Sequence, residues 1–350
     1  VPKTIWNKTN PADENNLIDI AARCLLIEDG NRLTLIDTGM GNKQSEKFFG
    51  YYSLWGDHSL DKSLKNAGFH RDDITDVFMT HLHFDHCGGS VNWNKDKTGY
   101  EVAFKNAKFW TNDNHWEWAT KPNAREKASF LHENLIPMQE SGQLQFINRP
   151  DSDFGFSSEL GFDIFYADGH TEKQMLPHIN YNGKTIVFCA DMLLTAGHIP
   201  IPYVTGYDTR PLMSMDEKQI FLNNAADNNY YLWLEHDAHN QIITVQHTEK
   251  GIRLKEVLWK MPFSKRKNVQ AVQVGQEQQL DLQDLRTKYD AMWKLANANK
   301  NAVTQARASI TDSASAAIAA LHQIREQFTT ASTAQTQQFG WSFRIKNFIA

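Results

Sequence analysis

Several classes of protein are excluded by what the chain lacks. No apolar run approaches the roughly 18 residues that a membrane-spanning helix requires, so a membrane protein is not expected. Three widely spaced cysteines in 350 residues are too few for a disulfide framework and favour buried free thiols in a reducing compartment. An excess of positive charge is also absent, and a formal net charge of −5 provides no general attraction to nucleic acid. The remaining composition, 41% hydrophobic and 22% charged residues, is typical of a soluble globular protein.

No secretory signal is visible, and the chain begins at Val1 rather than at a methionine, as expected of a processed or trimmed N-terminus. Together with the cysteine usage, these absences predict a cytoplasmic protein that has neither a membrane nor a nucleic acid as partner. A chain of this length is expected to form one large or two ordinary domains.

Three histidines and an aspartate are concentrated directly after an apolar run, in the sequence His81-Leu82-His83-Phe84-Asp85-His86-Cys87-Gly88-Gly89. Zinc and similar divalent ions favour imidazole nitrogen with some carboxylate oxygen, whereas a closed structural zinc site would be richer in cysteine. Scattered surface histidines are the alternative, since the chain has 14. Four candidate ligands in an H-x-H-x-D-H array nevertheless favour a metal site. The segment therefore predicts a strand that ends in a metal-binding loop.

Further candidate ligands follow later apolar runs that are typical of strands. Open α/β architectures assemble their sites at the carboxyl ends of strands, where loops converge. These residues are therefore expected to join the motif at one site. The predicted strands and the residues that follow them are Phe162–Ala167 with His170, Thr185–Ala190 with Asp191, and Tyr230–Glu235 with His236.

The chain is predicted to carry a helical extension after its main domain. A 4-3 spacing of apolar residues over 282–328 predicts an amphipathic helix or helical hairpin with coiled-coil potential, which could form a homodimer. The alternating run 341–345 is typical of a strand and could lie at a sheet edge. Within the main domain, a helical pattern over 123–140 is interrupted near Pro137. The predicted boundaries are 1–260 for the main, metal-binding domain, 261–281 for a linker and 282–350 for the extension with a possible terminal strand.

The order of these residues resembles the metallo-β-lactamase superfamily over roughly residues 17–258. The resemblance implies an α/β fold, an αββα sandwich, and a site for two divalent metal ions. Zinc is the default ion, and manganese, iron or cobalt would also suit such ligands. A metal-bridging hydroxide would attack the substrate, and Asp85 or a metal-bound water would protonate the leaving group. The implied ligands are His81, His83 and His170 for one metal, Asp85, His86 and His236 for the other, and Asp191 as a bridge.

Particular residues narrow the branch of the superfamily. Asp191, where zinc β-lactamases commonly carry cysteine, argues against antibiotic hydrolysis. His83, where flavodiiron proteins use glutamate, argues against redox chemistry. The pattern is most similar to the branch of the N-acyl-homoserine lactonases and methyl-parathion hydrolases, which implies a small-molecule ester or lactone as substrate. The alternatives are a phosphotriester hydrolase of the same fold and a metal-binding scaffold whose C-terminal helix mediates protein interaction.

Some positions depart from the family pattern, and others are expected to support the metal site or to line a pocket. Glu172-Lys173-Gln174 stands where members often have Pro-Gly-His, and Leu194 stands near a position where some lactonases have a substrate-binding tyrosine. Asp37 is expected to brace the metal loop. The aromatic residues Phe48, Phe49, Tyr51, Tyr52 and Trp55 are expected either to pack in the core or to line a pocket for an acyl or aromatic group.

Overall fold

A computed structural model of the chain describes residues 2–30, 32–54, 58–148, 154–258 and 337–346. Its helices in those ranges are α1 Lys3–Trp6, α2 Glu46–Gly50, α3 Leu60–Asn66, α4 Phe84–Cys87, α5 Asp113–Thr120, α6 His132–Glu140 and α7 Pro211–Asp227. Its strands there are β1 Leu17–Asp29, β2 Arg32–Ile36, β3 Asp76–Phe78, β4 Val91–Trp93, β5 Tyr100–Val102, β6 Lys108–Thr111, β7 Leu144–Phe146, β8 Phe154–Ser157, β9 Asp163–Ala167, β10 Gln174–Tyr181, β11 Lys184–Phe188, β12 Tyr231–Trp233, β13 Ile242–Thr248, β14 Gly251–Leu258 and β15 Gln337–Lys346.

Two large sheets form the centre of the molecule. The first has the strand order β15-β1-β2-β3-β6-β7 and the second the order β14-β13-β12-β11-β10-β9-β8. A buried apolar cluster joins them, with Ile36 and Phe78 from the first sheet and Phe188 and Trp233 from the second. Because inward-facing side chains of both sheets share this cluster, the sheets pack face to face.

Helices cover the outer faces of both sheets. Leu64 of α3 and Leu135 of α6 belong to a buried cluster with Val77 of the first sheet. Phe221 of α7 belongs to another with Val187 of the second sheet. This arrangement is the αββα sandwich that the sequence predicted. No helix within the described ranges is both long and apolar enough to cross a membrane.

The terminal strand β15 lies at the edge of the first sheet. It pairs antiparallel with β1, from Leu17 opposite Lys346 to Leu26 opposite Gln337. The alternating run 341–345 is therefore part of an edge strand, as its pattern indicated. The predicted linker and the amphipathic segment 282–328 lie outside the described residues, so the domain boundaries remain predictions.

The helical pattern expected over 123–140 is only partly correct. Helix α6 spans His132–Glu140 and continues through Pro137, so no interruption occurs there. Residues 124–129, by contrast, form turns. The Asn123 side-chain oxygen accepts the backbone N–H groups of Arg125 and Glu126, at 2.9 and 3.1 Å. Asparagine favours such turns over helix because its side chain replaces a backbone acceptor.

Candidate metal centre

The H-x-H-x-D-H loop follows β3 and is braced by Asp37 at the end of β2. The Asp37 carboxylate accepts the backbone N–H of Thr80 at 2.8 Å, the Thr80 hydroxyl at 2.7 Å and Nδ1–H of His86 at 2.9 Å. Asp37 is fully buried, so these contacts hold the start and the end of the loop without competition from water. The predicted bracing role of Asp37 agrees with these contacts.

The two glycines after the motif allow the loop to lie against the turn that follows β2. A Cβ atom on Gly88 would stand 2.3 Å from the Met40 carbonyl oxygen, and one on Gly89 would stand 2.3 Å from that of Thr38. Real Cβ atoms do not approach backbone so closely. Glycine is therefore required here by packing of backbone against backbone.

Three histidines converge in the first half of the site. His81 Nε2 lies 3.0 Å from His83 Nδ1, and His170 Nε2 lies 3.2 Å from the same atom. All three residues are buried. They form one of the groups whose ligand atoms are close enough to hold a single metal ion.

Hydrogen bonds on the outer nitrogen of each ring direct the inner nitrogen towards this point. His83 Nε2 faces Glu126 at 3.2 Å, and His170 Nδ1 faces Asp208 at 3.0 Å. His81 Nδ1 lies 3.1 Å from the Thr80 hydroxyl, whose only proton is donated to Asp37, so the ring must donate here.

The inner nitrogens of this half-site fit a cation. Burial lowers the pKa of both His81 and His83, so both rings are neutral near pH 7. Since their outer nitrogens carry the protons, the inner lone pairs face each other at 3.0 Å. Two facing lone pairs repel each other, and a cation bound between the nitrogens would relieve this repulsion, since neutral imidazole is the form that binds metal.

Asp85, His86 and His236 form the second half of the site. His236 Nε2 lies 3.3 Å from His86 Nε2, which is 3.9 Å from the Asp85 carboxylate. His236 donates Nδ1–H to the Ala21 carbonyl of β1 at 2.7 Å, which turns Nε2 inward. Asp85 is the most exposed of these side chains, at 17%, and gives this half-site an edge towards solvent.

Asp191 lies between the two halves. Its Oδ2 is 3.1 Å from His170 Nε2, whereas its Oδ1 is 2.8 Å from His236 Nε2 and 3.2 Å from His86 Nε2. Burial would raise the pKa of the Asp191 carboxyl, but the charges of His236, His170 and His86 outweigh it and hold the pKa well below its usual range. One carboxylate thus presents a separate oxygen to each group of histidines.

The structure therefore brings together all seven residues that the sequence singled out.

Burial lowers the pKa of His236, but the carboxylates of Asp191 and Glu235 outweigh it and raise the pKa to about 9. A cation bound at this half-site would have to displace that proton, so metal binding is expected to release protons.

Several residues that support the site were missed from the sequence. Glu126 is 3% exposed and accepts hydrogen bonds from His83, from the Thr171 hydroxyl at 2.6 Å, and from Trp118 and Asn123 at 2.7 and 2.6 Å. Burial alone would raise the pKa of Glu126, but the hydrogen bonds from His83, Thr171 and Asn123 lower it to about 2. No local pattern around residue 126 signals this role.

His115 of α5 joins the two loops that carry the first half-site. Its Nε2 accepts the backbone N–H of Leu82 at 2.8 Å, and its Nδ1–H is donated to the Glu172 carbonyl. Leu82 lies between His81 and His83, and Glu172 lies two residues after His170. His115 therefore fixes the spacing of the two loops, and burial lowers its pKa to about 3, which keeps the ring neutral.

The altered loop after His170 is held by ion pairs. Lys173 has a left-handed backbone, φ 49°, which glycine adopts more readily. Its Nζ lies 2.6 Å from the Asp168 carboxylate, and its N–H is donated to the same side chain at 2.8 Å. Glu172 pairs with Arg210 at 2.6 Å. These contacts hold the loop of this chain, which has Glu172 and Lys173 in place of the Pro and Gly of the family pattern.

An αββα sandwich whose strand ends gather five buried histidines around an aspartate defines a metallo-hydrolase. The sequence profile described as the metallo-beta-lactamase superfamily matches residues 19–223. The chain belongs to this superfamily, as its motifs indicated. No curated protein sequence matches the chain.

Solved structures share the fold. A probable metal-dependent hydrolase from Staphylococcus aureus is 26% identical, with a TM-score of 0.63 over 74% of this chain and 90% of that one. AbOPH, a hydrolase in the beta lactamase superfamily, is 20% identical, with a TM-score of 0.58 over 75% of this chain and 89% of that one. AidC, a dizinc quorum-quenching lactonase in complex with the product N-hexnoyl-L-homoserine, is 21% identical. Its TM-score is 0.56 over 69% of this chain and 81% of that one.

Proposed function

We propose that the protein is a dinuclear metal-dependent hydrolase of ester or lactone bonds in small molecules, with acyl-homoserine lactones among its substrates. The observation that carries the proposal is the position of Asp191, whose two oxygens face different histidine groups at 2.8–3.2 Å. A single-ion site would not need a carboxylate placed between two complete sets of ligands. The description of AidC as a dizinc lactonase supports the same assignment.

The proposed ligands divide into two of the groups that the geometry brings together, joined by Asp191. His81, His83 and His170 would hold one ion and Asp85, His86 and His236 the other, with Asp191 shared. Zinc is the expected metal because five imidazoles and two carboxylates suit it, and manganese, iron and cobalt are the ions to compare with it.

Divalent ions bound at such a site lower the pKa of coordinated water to about 7 and polarise the carbonyl group under attack. The chain itself supplies orientation and proton transfer. Asp37 and Glu126 hold His86 and His83 with their inner nitrogens directed at the site. Asp85 is partly exposed at the edge of the site, so its carboxylate can take the proton that the attacking water releases and pass it to the leaving oxygen.

The test is a substrate panel of N-acyl-homoserine lactones, simple lactones, aryl esters and phosphotriesters, assayed on zinc-loaded protein. We expect lactone or ester hydrolysis that falls more than about 100-fold in Asp191→Ala, since loss of even a supporting group costs 10–100-fold. Asp227→Ala is the matched control, because that carboxylate is 62% exposed and, among the residues the structure describes, pairs only with the surface residue His247. Turnover of phosphotriesters alone would contradict the ester and lactone assignment. Full metal content without any hydrolysis would favour a binding scaffold.

A further inference from the structure

Residues 2–16, here called the N-terminal segment, lie against two elements that carry candidate ligands. Asn10 donates its side-chain N–H to the Thr195 hydroxyl at 3.0 Å, in the loop that follows Asp191. Trp6 packs on a buried cluster that includes Ile20 and Ala22 of β1. The same stretch of β1 accepts the His236 ring proton at the Ala21 carbonyl. The segment therefore contacts the loop that follows Asp191 and packs on the stretch of β1 that accepts the His236 ring proton.

The contact between the N-terminal segment and this loop is close enough to require glycine. A Cβ atom on Gly197 would stand 2.2 Å from Asn10 Oδ1 and 2.8 Å from Thr9 Oγ1. Gly197 does not have a left-handed backbone, so an alanine at this position would suit the local conformation. The three nearest atoms that such a Cβ would meet all belong to the side chains of Thr9 and Asn10 in the N-terminal segment, so these side chains would have to shift.

An apolar surface extends from the N-terminal segment to the solvent-facing edge of the metal centre. The partly buried rings of Phe48, Tyr52 and Phe84 pack on the same cluster as Trp6. Phe84 lies 5.2 Å from Phe48 and 5.1 Å from Tyr52 between ring centroids. Phe84 directly precedes Asp85, so the rings continue to the second half-site. Apolar surface that is only partly covered beside reactive groups is what a ligand pocket offers.

We propose that the N-terminal segment forms one wall of the substrate cleft and selects substrates by the size of their apolar group. The inference rests on the proposed hydrolysis of esters or lactones. With the segment in place, Trp6 and the ring cluster enclose the acyl chain remote from the scissile bond. A long chain gains more from this enclosure than a short one, because burial of each methylene contributes separately.

Gly197→Ala is the direct test, with Gly99→Ala as the matched control. A Cβ atom on Gly99 would meet only Asn94 Nδ2, at an ordinary 3.6 Å. The probes are butanoyl-homoserine and decanoyl-homoserine, the ring-opened products, whose binding to the zinc-loaded protein is measured by calorimetry. We expect Gly197→Ala to weaken decanoyl binding about tenfold and butanoyl binding less than about twofold. Hydrogen exchange of peptide 2–16 should rise in this variant alone, with metal content unchanged.

Asn10→Ala provides a second variant, since it removes the bond to Thr195 without adding bulk. It should change the preference for chain length in the same direction by a smaller factor. Rapid exchange in peptide 2–16 with an unchanged decanoyl-to-butanoyl ratio would overturn the proposal, as would an unchanged exchange rate in Gly197→Ala. The proposed function is tested separately, and it fails if the wild-type protein hydrolyses no member of the substrate panel. The ratio of decanoyl to butanoyl binding is independent of that result, because it is measured without turnover.

Discussion

Replacing Glu126 with glutamine tests whether the hydrogen bonds behind the histidines prepare the metal centre. One carboxylate oxygen accepts from His83 and Thr171, and the other accepts from Trp118 and Asn123. An amide keeps the size of the side chain but turns one oxygen into a donor. In one orientation its NH2 group faces the donors of Trp118 and Asn123. In the other it faces His83, whose proton must then move to Nδ1, the atom directed at the site.

The magnitude follows from the number of bonds lost. At least two hydrogen bonds to a charged acceptor disappear in either orientation, and each contributes about 1.5–3 kcal/mol. We therefore expect Glu126→Gln to lower the free energy of unfolding by about 3–6 kcal/mol. Metal affinity should fall about 10- to 100-fold, as it does when the partner of a ligating histidine is removed.

Denaturant unfolding and competition with a zinc chelator measure the two effects. Glu117→Gln is the control, because this carboxylate is 71% exposed and, within the described part of the chain, pairs only with Lys121 at the surface. It should change neither quantity by more than about 0.5 kcal/mol. A folded Glu126→Gln protein with wild-type zinc affinity would refute the reasoning.

Three further results are expected. Gly88→Ala should lose metal and stability, because the new Cβ would meet the Met40 carbonyl at 2.3 Å; metal content and thermal unfolding check this, and wild-type values would contradict it. Lys218→Met should cost about 3 kcal/mol or more in denaturant unfolding, because Nζ is buried and donates to three carbonyls of the loop 198–203; a cost below about 1 kcal/mol would contradict that role. Burial lowers the pKa of His178 from 6.5 to about 4, so the native ring stays neutral where the unfolded ring takes up a proton. The stability that this provides is present above pH 6.5 and is lost as the pH falls towards 4, by up to about 3 kcal/mol; His178→Phe should lose less than wild type between pH 7 and 5, and an equal loss would contradict the assignment.

The candidate ligands could be predicted because each follows an apolar strand. His81, His83, Asp85 and His86 share one short motif, and later ligands such as His170 stand just beyond other strands. Strand patterns are local, and the fold then brings strand ends to one edge. This is why a one-dimensional pattern identified residues that meet in space.

The support of the site could not be predicted in the same way. Glu126 and His115 reach loops 43 and 33 residues away in sequence, from segments with no periodic pattern that points to the site. Their roles depend on tertiary hydrogen bonds, which leave no local signal. The turn at Asn123 was missed for a related reason, since two backbone hydrogen bonds to one side chain outweighed a weak helical pattern.

The most direct test of the central claim is the number of zinc ions bound per chain at saturation, measured by native mass spectrometry of the full chain. Two half-sites that share Asp191 predict two ions in wild type. They also predict one ion in His236→Ala, since the histidines of the first half-site are untouched. A wild-type protein that binds only one ion at saturating zinc would contradict the dinuclear centre.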